Sequence, residues 1–320
     1  MNLPEPIGGF FELELKKDDF PHSNGILLNS GRSCFEYVLR ARNPSRVYMP
    51  KFTCDVMIEP LTKLNIPYSF YSINEALEIK DDISLGKNEM LVYTNYFGLK
   101  DDYASRMAQA YGHQLILDYS QAFYSMPPAG SHTFYSPRKF FGIPDGGCLV
   151  MGDSVESQLP LGVSFDRASH LLKRIDVGPE ASYPDFKAND SSLTGEPIEQ
   201  MSRLTRRLLG GIDFDSAKRI RNSNFNYLHE KLKETNKIKL NLSSISVPMV
   251  YPYLAAATDL RSKLIENRIF VATYWPNVFE WCTDNELEHS LAANILPLPI
   301  DQRYGFAEMD RIVALIGHEK

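Results

Sequence analysis

Apolar residues switch repeatedly between a helical repeat and short unbroken runs over the first 151 positions. Cys34, Phe35, Val38 and Leu39 recur at the i, i+3, i+4 spacing of one helix face, and Asn29-Ser30-Gly31 just before them supplies a helix start. Val47-Tyr48-Met49 is a short apolar strand stopped by Pro50. A second helical stretch with Val56, Met57, Leu61 and Leu64 apolar leads to the strand Tyr68-Ser69-Phe70-Tyr71. Met90-Leu91-Val92-Tyr93 reads as a further strand. Asp101 and Asp102 then cap a helix carrying Tyr103, Met107 and Ala110. Leu115-Ile116-Leu117 is a buried strand ending at Asp118, and Cys148-Leu149-Val150-Met151 is another. Strands separated by helices imply βαβ units and a mostly parallel sheet, so this part is an α/β domain.

The pattern changes after Gly152. Residues 153–200 are rich in Ser, Asp, Glu and Pro and predict long loops with short helices. A helix from Ile212 to Glu234 lines up Ala217, Ile220, Asn224, Leu228 and Leu232. Strand signals follow over Ser246–Tyr253, then a helix over Asp259–Asn267, a strand over Ile269–Thr273 and a last helix over Phe306–Ile316. The simplest division is a large α/β domain over 1–212 and a smaller C-terminal α+β domain over 213–320.

Composition narrows the class. The 320 residues are 43% hydrophobic and 12% aromatic, which supplies a large core and excludes a disordered chain. The net charge of −6 argues against a uniformly basic coat for nucleic acid. No apolar run approaches a membrane helix, and Met1–Phe11 lacks the basic-then-apolar order of a signal peptide, so a cytoplasmic protein is expected. Cys34, Cys54, Cys148 and Cys282 are scattered with no CxxC pair, and the seven histidines form no HExxH, which leaves neither a disulfide framework nor a zinc site.

In an open parallel sheet, ligands bind beyond the carboxyl ends of the strands. Asp118 directly follows a strand and belongs at that rim, with Gln121 three residues on. Ser136-Pro137-Arg138-Lys139 precedes Phe140–Asp145 and the Gly146-Gly147 strand start. A lysine in such a tight segment is placed for a Schiff base if a partly desolvated pocket lowers its pKa. Taken singly, an Asp after a strand is usually a turn or cap, and a Lys is usually a solvated surface residue. Their order and spacing carry the argument.

That order resembles the DegT/DnrJ/StrS family of pyridoxal-phosphate (PLP) sugar aminotransferases. Leu117-Asp118-Tyr119-Ser120-Gln121-Ala122 is similar to the family's Asp-Ala-Ala-Gln-Ala stretch, and Pro137-Arg138-Lys139 with Asp145-Gly146-Gly147 to its Pro-x-Lys…(Glu/Asp)-Gly-Gly motif. Ser30-Gly31-Arg32-Ser33, Pro50-Lys51-Phe52-Thr53 and Leu296-Pro297-Leu298-Pro299-Ile300 resemble its Ser-Gly-Thr-x, Pro-x-x-Thr and Leu-Pro-(Leu/Met) segments. The agreement runs from about residue 25 to 317.

The resemblance implies a fold-type I PLP-dependent transferase. Lys139 would form the Schiff base and Asp118 would pair with the pyridinium nitrogen, while Gln121 would sit near the phenolic oxygen. Gly31, Arg32 and Ser33 would hold the phosphate at a helix N-terminus; the family's phosphate-binding serine is Phe134 here, with Ser136, or Thr133 after a one-residue slip, the nearest substitute. The resemblance further implies glutamate as amino donor, a nucleotide-linked keto-sugar as acceptor, a role in surface polysaccharide or glycoconjugate synthesis, and a homodimer. Besides Phe134, two positions and one segment depart from the family. Arg32 stands for its threonine and could grip phosphate or point away. Cys54, still a cofactor-binding position, stands for the aromatic that stacks on the ring, so stacking is weaker there or comes from Phe52 or Tyr96. The Asn-Tyr-Arg-Met segment that reaches the neighbouring subunit is not recognisable in 185–202, where Asn189 is the nearest match.

These departures motivate a second reading, a PLP-fold protein without catalysis that serves as a regulatory or structural subunit. A dehydratase route is disfavoured, because that branch has histidine where Lys139 stands. The arginines Arg203, Arg206 and Arg207 read as a solvated helix face that could also meet a nucleotide diphosphate. Trp275 and Trp281 read as packing within the small domain.

Overall fold

The computed structural model describes residues 7–16, 18–152, 158–240, 247–255 and 259–317. The elements run β1 (Ile26–Leu28), α1 (Gly31–Arg42), β2 (Arg46–Pro50), α2 (Ile58–Lys63), β3 (Tyr68–Tyr71), β4 (Glu89–Thr94), α3 (Asp101–Tyr111) and β5 (Leu115–Asp118). Next come β6 (His132–Tyr135), β7 (Gly147–Val150), α4 (Ser169–Val177), α5 (Pro179–Ser192), α6 (Arg203–Gly210) and α7 (Phe214–Leu232). The chain finishes through β8 (Tyr251–Leu254), α8 (Leu260–Glu266), α9 (Val278–Trp281), α10 (Leu287–Asn294), β9 (Ile295–Leu298) and α11 (Phe306–Gly317).

Seven strands form one sheet in the order β1-β7-β6-β5-β4-β2-β3. The pairs from β3 through β2, β4 and β5 to β6 are parallel, while β7 is antiparallel to both β6 and β1. β1 therefore runs in the same direction as β6, and the segments after β1, β2, β4, β5 and β6 all emerge at one rim. The mostly parallel α/β sheet expected from the sequence is present.

Side-chain alternation assigns the two faces. Leu91, Tyr93, Leu115 and Leu117 point into one core with Ala104 and Met107 of α3 and with Phe225, Leu228, Leu296 and Ile312 of the C-terminal region. Met90, Val92 and Ile116 point into the other with Phe35, Val38 and Leu39 of α1 and Leu61 of α2. Both faces of the central strands are buried, which is why they read as unbroken apolar runs. Each large side chain buried this way contributes roughly 1.5–3 kcal/mol.

Ser30 caps α1 by accepting from the Ser33 amide at 3.0 Å, and Asn43 ends it in the left-handed region with φ 45°. Several expectations change. Asp101 and Asp102 lie in the first turn of α3 but do not cap it; Lys100 holds the cap position, and Asp101 accepts from Asn95 Nδ2 at 2.6 Å. The segment 158–200 contains a helix of 14 residues, α5, whose Pro184 and polar composition hide its periodicity.

Ile269–Thr273 is not a strand. Ile269 and Val271 are buried and Phe270 is exposed, so the alternation is real, but among the described residues β8 and β9 pair only with each other. Arg261 instead takes the Ala272 carbonyl. β8 is shorter than the strand signals over 246–253 suggested, and Ser246 lies outside the described residues. Among the described residues no helix is long and apolar enough to cross a membrane.

Candidate active site

The rim at the carboxyl ends of the parallel strands gathers the residues singled out above. β5 ends at Asp118, which is 7% exposed and accepts from the Ser120 amide at 2.8 Å. β6 ends at Tyr135 and leads through Ser136 into a single helical turn, Pro137–Lys139. The amides of Phe140 and Phe141 both donate to Pro137 O, at 2.9 and 3.0 Å, which tightens the chain immediately after Lys139.

The start of α1 reaches this turn. A Cβ built on Gly31 would lie 3.4 Å from Ser136 Cβ and 3.7 Å from Ser120 Oγ. The Ser33 amide is taken by the Ser30 side chain and the Cys34 amide by the Ser30 carbonyl, leaving the amides of Gly31 and Arg32 without an acceptor inside the helix. The Ser120 hydroxyl and the Ser136 side chain thus lie beside a helix start whose first two amides have no acceptor inside the helix, a setting that favours an anion. Ser120 was not expected as part of it. Its position after a strand-end Asp carries no signal until β5 and α1 are brought together.

The glycines after Asp145 explain the close approach. Gly146 has φ 115° and donates its amide to Asn29 O at 2.7 Å. A Cβ on Gly147 would stand 2.3 Å from Ser30 O, so only glycine lets β7 pass the cap of α1. Asp145 is buried and accepts from Thr205 Oγ1; burial raises its pKa while Thr205 opposes the shift.

Other expected residues behave differently. Lys139 is exposed, so this chain's own atoms do not supply the partly desolvated pocket expected around its amine. The Arg32 guanidinium does not face the helix-start space: it pairs with Glu59 at 2.7 Å and donates to Leu193 O at 2.7 Å. The carboxylate of α2 and the Leu193 carbonyl engage its Nη1, while its Nε is buried without a hydrogen-bond partner. Ser33 Oγ lies 2.8 Å from Ser30 Oγ and is buried inside the cap. Gln121 Oε1 accepts from the Phe97 amide at 2.7 Å, holding a turn in which Phe97 has φ 60°; its amide nitrogen is the part left for a ligand.

Cys54 is half-buried, and burial pushes its thiol up to about 11, with the Lys139 cation acting in the opposite direction. The thiol therefore stays protonated at neutral pH. Phe52 and Tyr96 are buried against each other, with the Tyr96 hydroxyl donating to Phe52 O at 2.9 Å, and both contact Trp275. Neither ring is free to move onto a ligand without breaking that packing.

Trp281 packs on Phe70, so both tryptophans seal the C-terminal region onto the main sheet. Asn189 is fixed within its own chain, donating to Pro144 O at 2.9 Å. Arg207 is engaged by Glu12 and Leu15 O of the N-terminal segment. Among the described residues, Cys282, Glu286 and Glu288 bring potential metal-ligand atoms within 4.8 Å of one another. Lys51 engages Glu286, the Ile73 amide engages Glu288, and the Cys282 thiol is pushed up to about 11, chiefly by burial.

No protein-family model and no curated protein sequence matches the chain. Solved structures do. A DegT/DnrJ/EryC1/StrS aminotransferase from Brucella abortus superposes with a TM-score of 0.60 at 16% identity, over 92% of this chain and 86% of that one. The chain has the fold of that aminotransferase. DesV of S. venezuelae, solved with a ketimine intermediate, gives 0.61 at 16% identity over 92% and 85% of the two chains. The E. coli GDP-4-keto-6-deoxy-D-mannose-3-dehydratase, solved with hydrated PLP, gives 0.61 at 16% identity over 91% and 87%. One fold therefore spans amination and dehydration, and the side chains at the rim must decide between chemistries.

Proposed function

We propose that this chain is a PLP-dependent aminotransferase that moves an amino group, with glutamate as donor, onto a nucleotide-linked keto-sugar. The observation that carries the reading is the meeting of three segments at the sheet rim. The Gly31 helix start, the Asp118–Ser120 strand end and the Ser136–Lys139 turn come together in a fold shared with PLP-binding relatives. Bound there, PLP supplies an electron-withdrawing ring that lets a C–H bond beside the amino nitrogen ionise.

The chain's own residues divide the remaining work. The amides of Gly31 and Arg32 and the hydroxyls of Ser120 and Ser136 would hold the phosphate. The Asp118 carboxylate would keep a proton on the ring nitrogen. Lys139 Nζ would attach the cofactor and, once released, carry a proton between donor carbon and cofactor carbon. Lys139, rather than histidine, favours amination over dehydration. The reading includes two domains meeting near residue 212, a homodimer, and a place in the cytoplasm in surface polysaccharide or glycoconjugate synthesis.

The test is an absorbance titration with PLP beside Lys139→Ala. The parent should gain a visible band that borohydride fixes onto Lys139 by mass spectrometry, and L-glutamate should discharge it. A band that no amino donor discharges would support the second reading, a non-catalytic subunit, which the engagement of Arg32 by Glu59 and Leu193 favours. No band at saturating PLP would remove the aminotransferase reading and leave a binding or scaffold protein of this fold.

A further inference from the structure

Phe140, the residue after Lys139, has a carbonyl that accepts two side-chain hydrogen bonds from the C-terminal region. Arg221 Nη2 donates to it at 3.2 Å and Gln302 Nε2 at 3.0 Å. Arg221 lies on α7, is 2% exposed, and is among the largest fully buried side chains described. Its other donors reach Met249 O at 2.9 Å and Gln302 Oε1 at 3.0 Å, and its guanidinium lies 4.7 Å from the centre of the Phe140 ring. All three hydrogen bonds go to neutral oxygens.

Burying a guanidinium without a directly hydrogen-bonded carboxylate is costly, and burial lowers its pKa to about 10. An apolar side chain would avoid that cost but would leave the acceptors at Phe140, Met249 and Gln302 without this donor. What the arginine adds is a rigid fork that fixes oxygens from three separate segments at one point. One of those segments is the lysine turn. On the other side of that turn, Arg138 pairs with Asp190 and Asn189 holds Pro144 O, both partners on α5. Lys139 thus projects from a short segment tied to α5 on one flank and to α7 and the 301–304 loop on the other.

We propose that Arg221 and Gln302 form a clamp that positions Lys139 through the carbonyl of Phe140, so that the C-terminal region sets where the amine stands. The proposal rests on Lys139 being the lysine that attaches PLP. Arg221 and Gln302 are positioning residues in this scheme, since their contacts are to the backbone beside the lysine.

The test uses the full chain as Arg221→Met, Arg221→Lys and Gln302→Leu, with Arg219→Ala, an exposed change on the same helix, as control. The first readout is the rate of covalent PLP attachment at Lys139, trapped with borohydride and read by mass spectrometry. The second is non-covalent PLP affinity, measured with each change placed on a Lys139→Ala background. Attachment should slow by about tenfold or more in Arg221→Met and Gln302→Leu, in keeping with the sensitivity of reaction rates to small misplacements. Non-covalent affinity should stay at the Lys139→Ala value, and Arg219→Ala should match the parent. Arg221→Lys should fall between, because one ammonium cannot span the acceptors of the fork.

Unchanged attachment in folded Gln302→Leu and Arg221→Lys would overturn the clamp. So would a parallel loss of non-covalent affinity, which marks general loosening. If Arg221→Met does not fold, the half-buried Gln302→Leu carries the result. Hydrogen exchange separates this proposal from the functional reading: clamp loss should raise exchange over residues 138–141 and not over 116–119. A parent that never attaches PLP removes the functional reading. Exchange then decides whether the clamp fixes the lysine turn, and an unchanged 138–141 segment overturns it.

Discussion

Gly31 and Ser136 face each other closely enough that a methyl group on Gly31 would stand 3.4 Å from Ser136 Cβ. That is ordinary contact, so Gly31→Ala is compatible with the fold. The same methyl would stand between the start of α1 and the side chains of Ser120 and Ser136, where the proposed phosphate would sit. Gly31→Ala should therefore keep the parent's melting temperature to within a few degrees and weaken PLP binding by on the order of tenfold, about 1.4 kcal/mol. Fluorescence titration with PLP beside a thermal melt checks both. Unchanged affinity would move the phosphate elsewhere.

Arg32 is the position where a sequence resemblance and the local electrostatics part. Its guanidinium serves Glu59 and Leu193 O, and Glu59 also accepts from the Gly195 amide, so the pair fastens the 193–195 loop to α2. Arg32→Thr should leave PLP affinity near the parent's value and lower stability by about 1–3 kcal/mol, the usual cost of stranding a part-buried partner. A denaturant melt and a PLP titration on the same protein separate the effects. A tenfold loss of affinity with unchanged stability would return Arg32 to the phosphate.

The strand and helix pattern of residues 30–151 was legible because each central strand is buried on both faces and α1 carries a clear apolar stripe. The rim was legible for a different reason. Asp118 closes a strand the apolar pattern shows, and parallel strands bring their ends together; Lys139 is marked only by its place ahead of the Gly146-Gly147 strand start, since β6 before it gives no clear signal. Ile269–Thr273 shows where reading fails: burial alternates as in a strand, yet among the described residues no neighbour offers a ladder. Ser120 and Arg221 show a second limit. One acquires meaning only from the distance to Gly31, the other only from the carbonyl of Phe140. Sequence order contains neither.

Gly147 allows a sharper test of packing. With Ser30 O only 2.3 Å from a built Cβ, Gly147→Ala must displace either β7 or the cap of α1. Overpacking against backbone costs about 1–3 kcal/mol or more. The displaced cap is the one that presents the Gly31 and Arg32 amides, so PLP binding should fall together with stability. Gly142, where a Cβ would meet only the end of Leu171 at 3.7 Å, is the matched control, and Gly142→Ala should change neither. Equal behaviour of the two variants in melts and titrations would show that the approach of β7 to α1 is dispensable.

His22 gives the fold a pH dependence with a defined sign. Its ring stacks on Tyr135 at 3.8 Å, and Nε2 lies 2.6 Å from Phe123 O, an acceptor only, so Nε2 carries the proton of the neutral ring. Burial lowers its pKa from 6.5, and the hydrogen bond to Phe123 O opposes the shift. Below 6.5 the unfolded chain takes up a proton that the folded chain resists, so this contribution is present above 6.5 and is lost as the pH falls toward the lowered value. The melting temperature should therefore drop between about pH 7.5 and 5.5, the range in which histidines titrate. His22→Phe keeps an aromatic ring on Tyr135 but leaves Phe123 O without its donor. It should melt lower than the parent at pH 7.5, by about 1 kcal/mol or more in stability, and show a shallower decline toward pH 5.5. His170 and His229, also shifted down by burial, account for the slope that remains. Parallel melting curves for parent and variant across this range would assign the acid sensitivity to other groups.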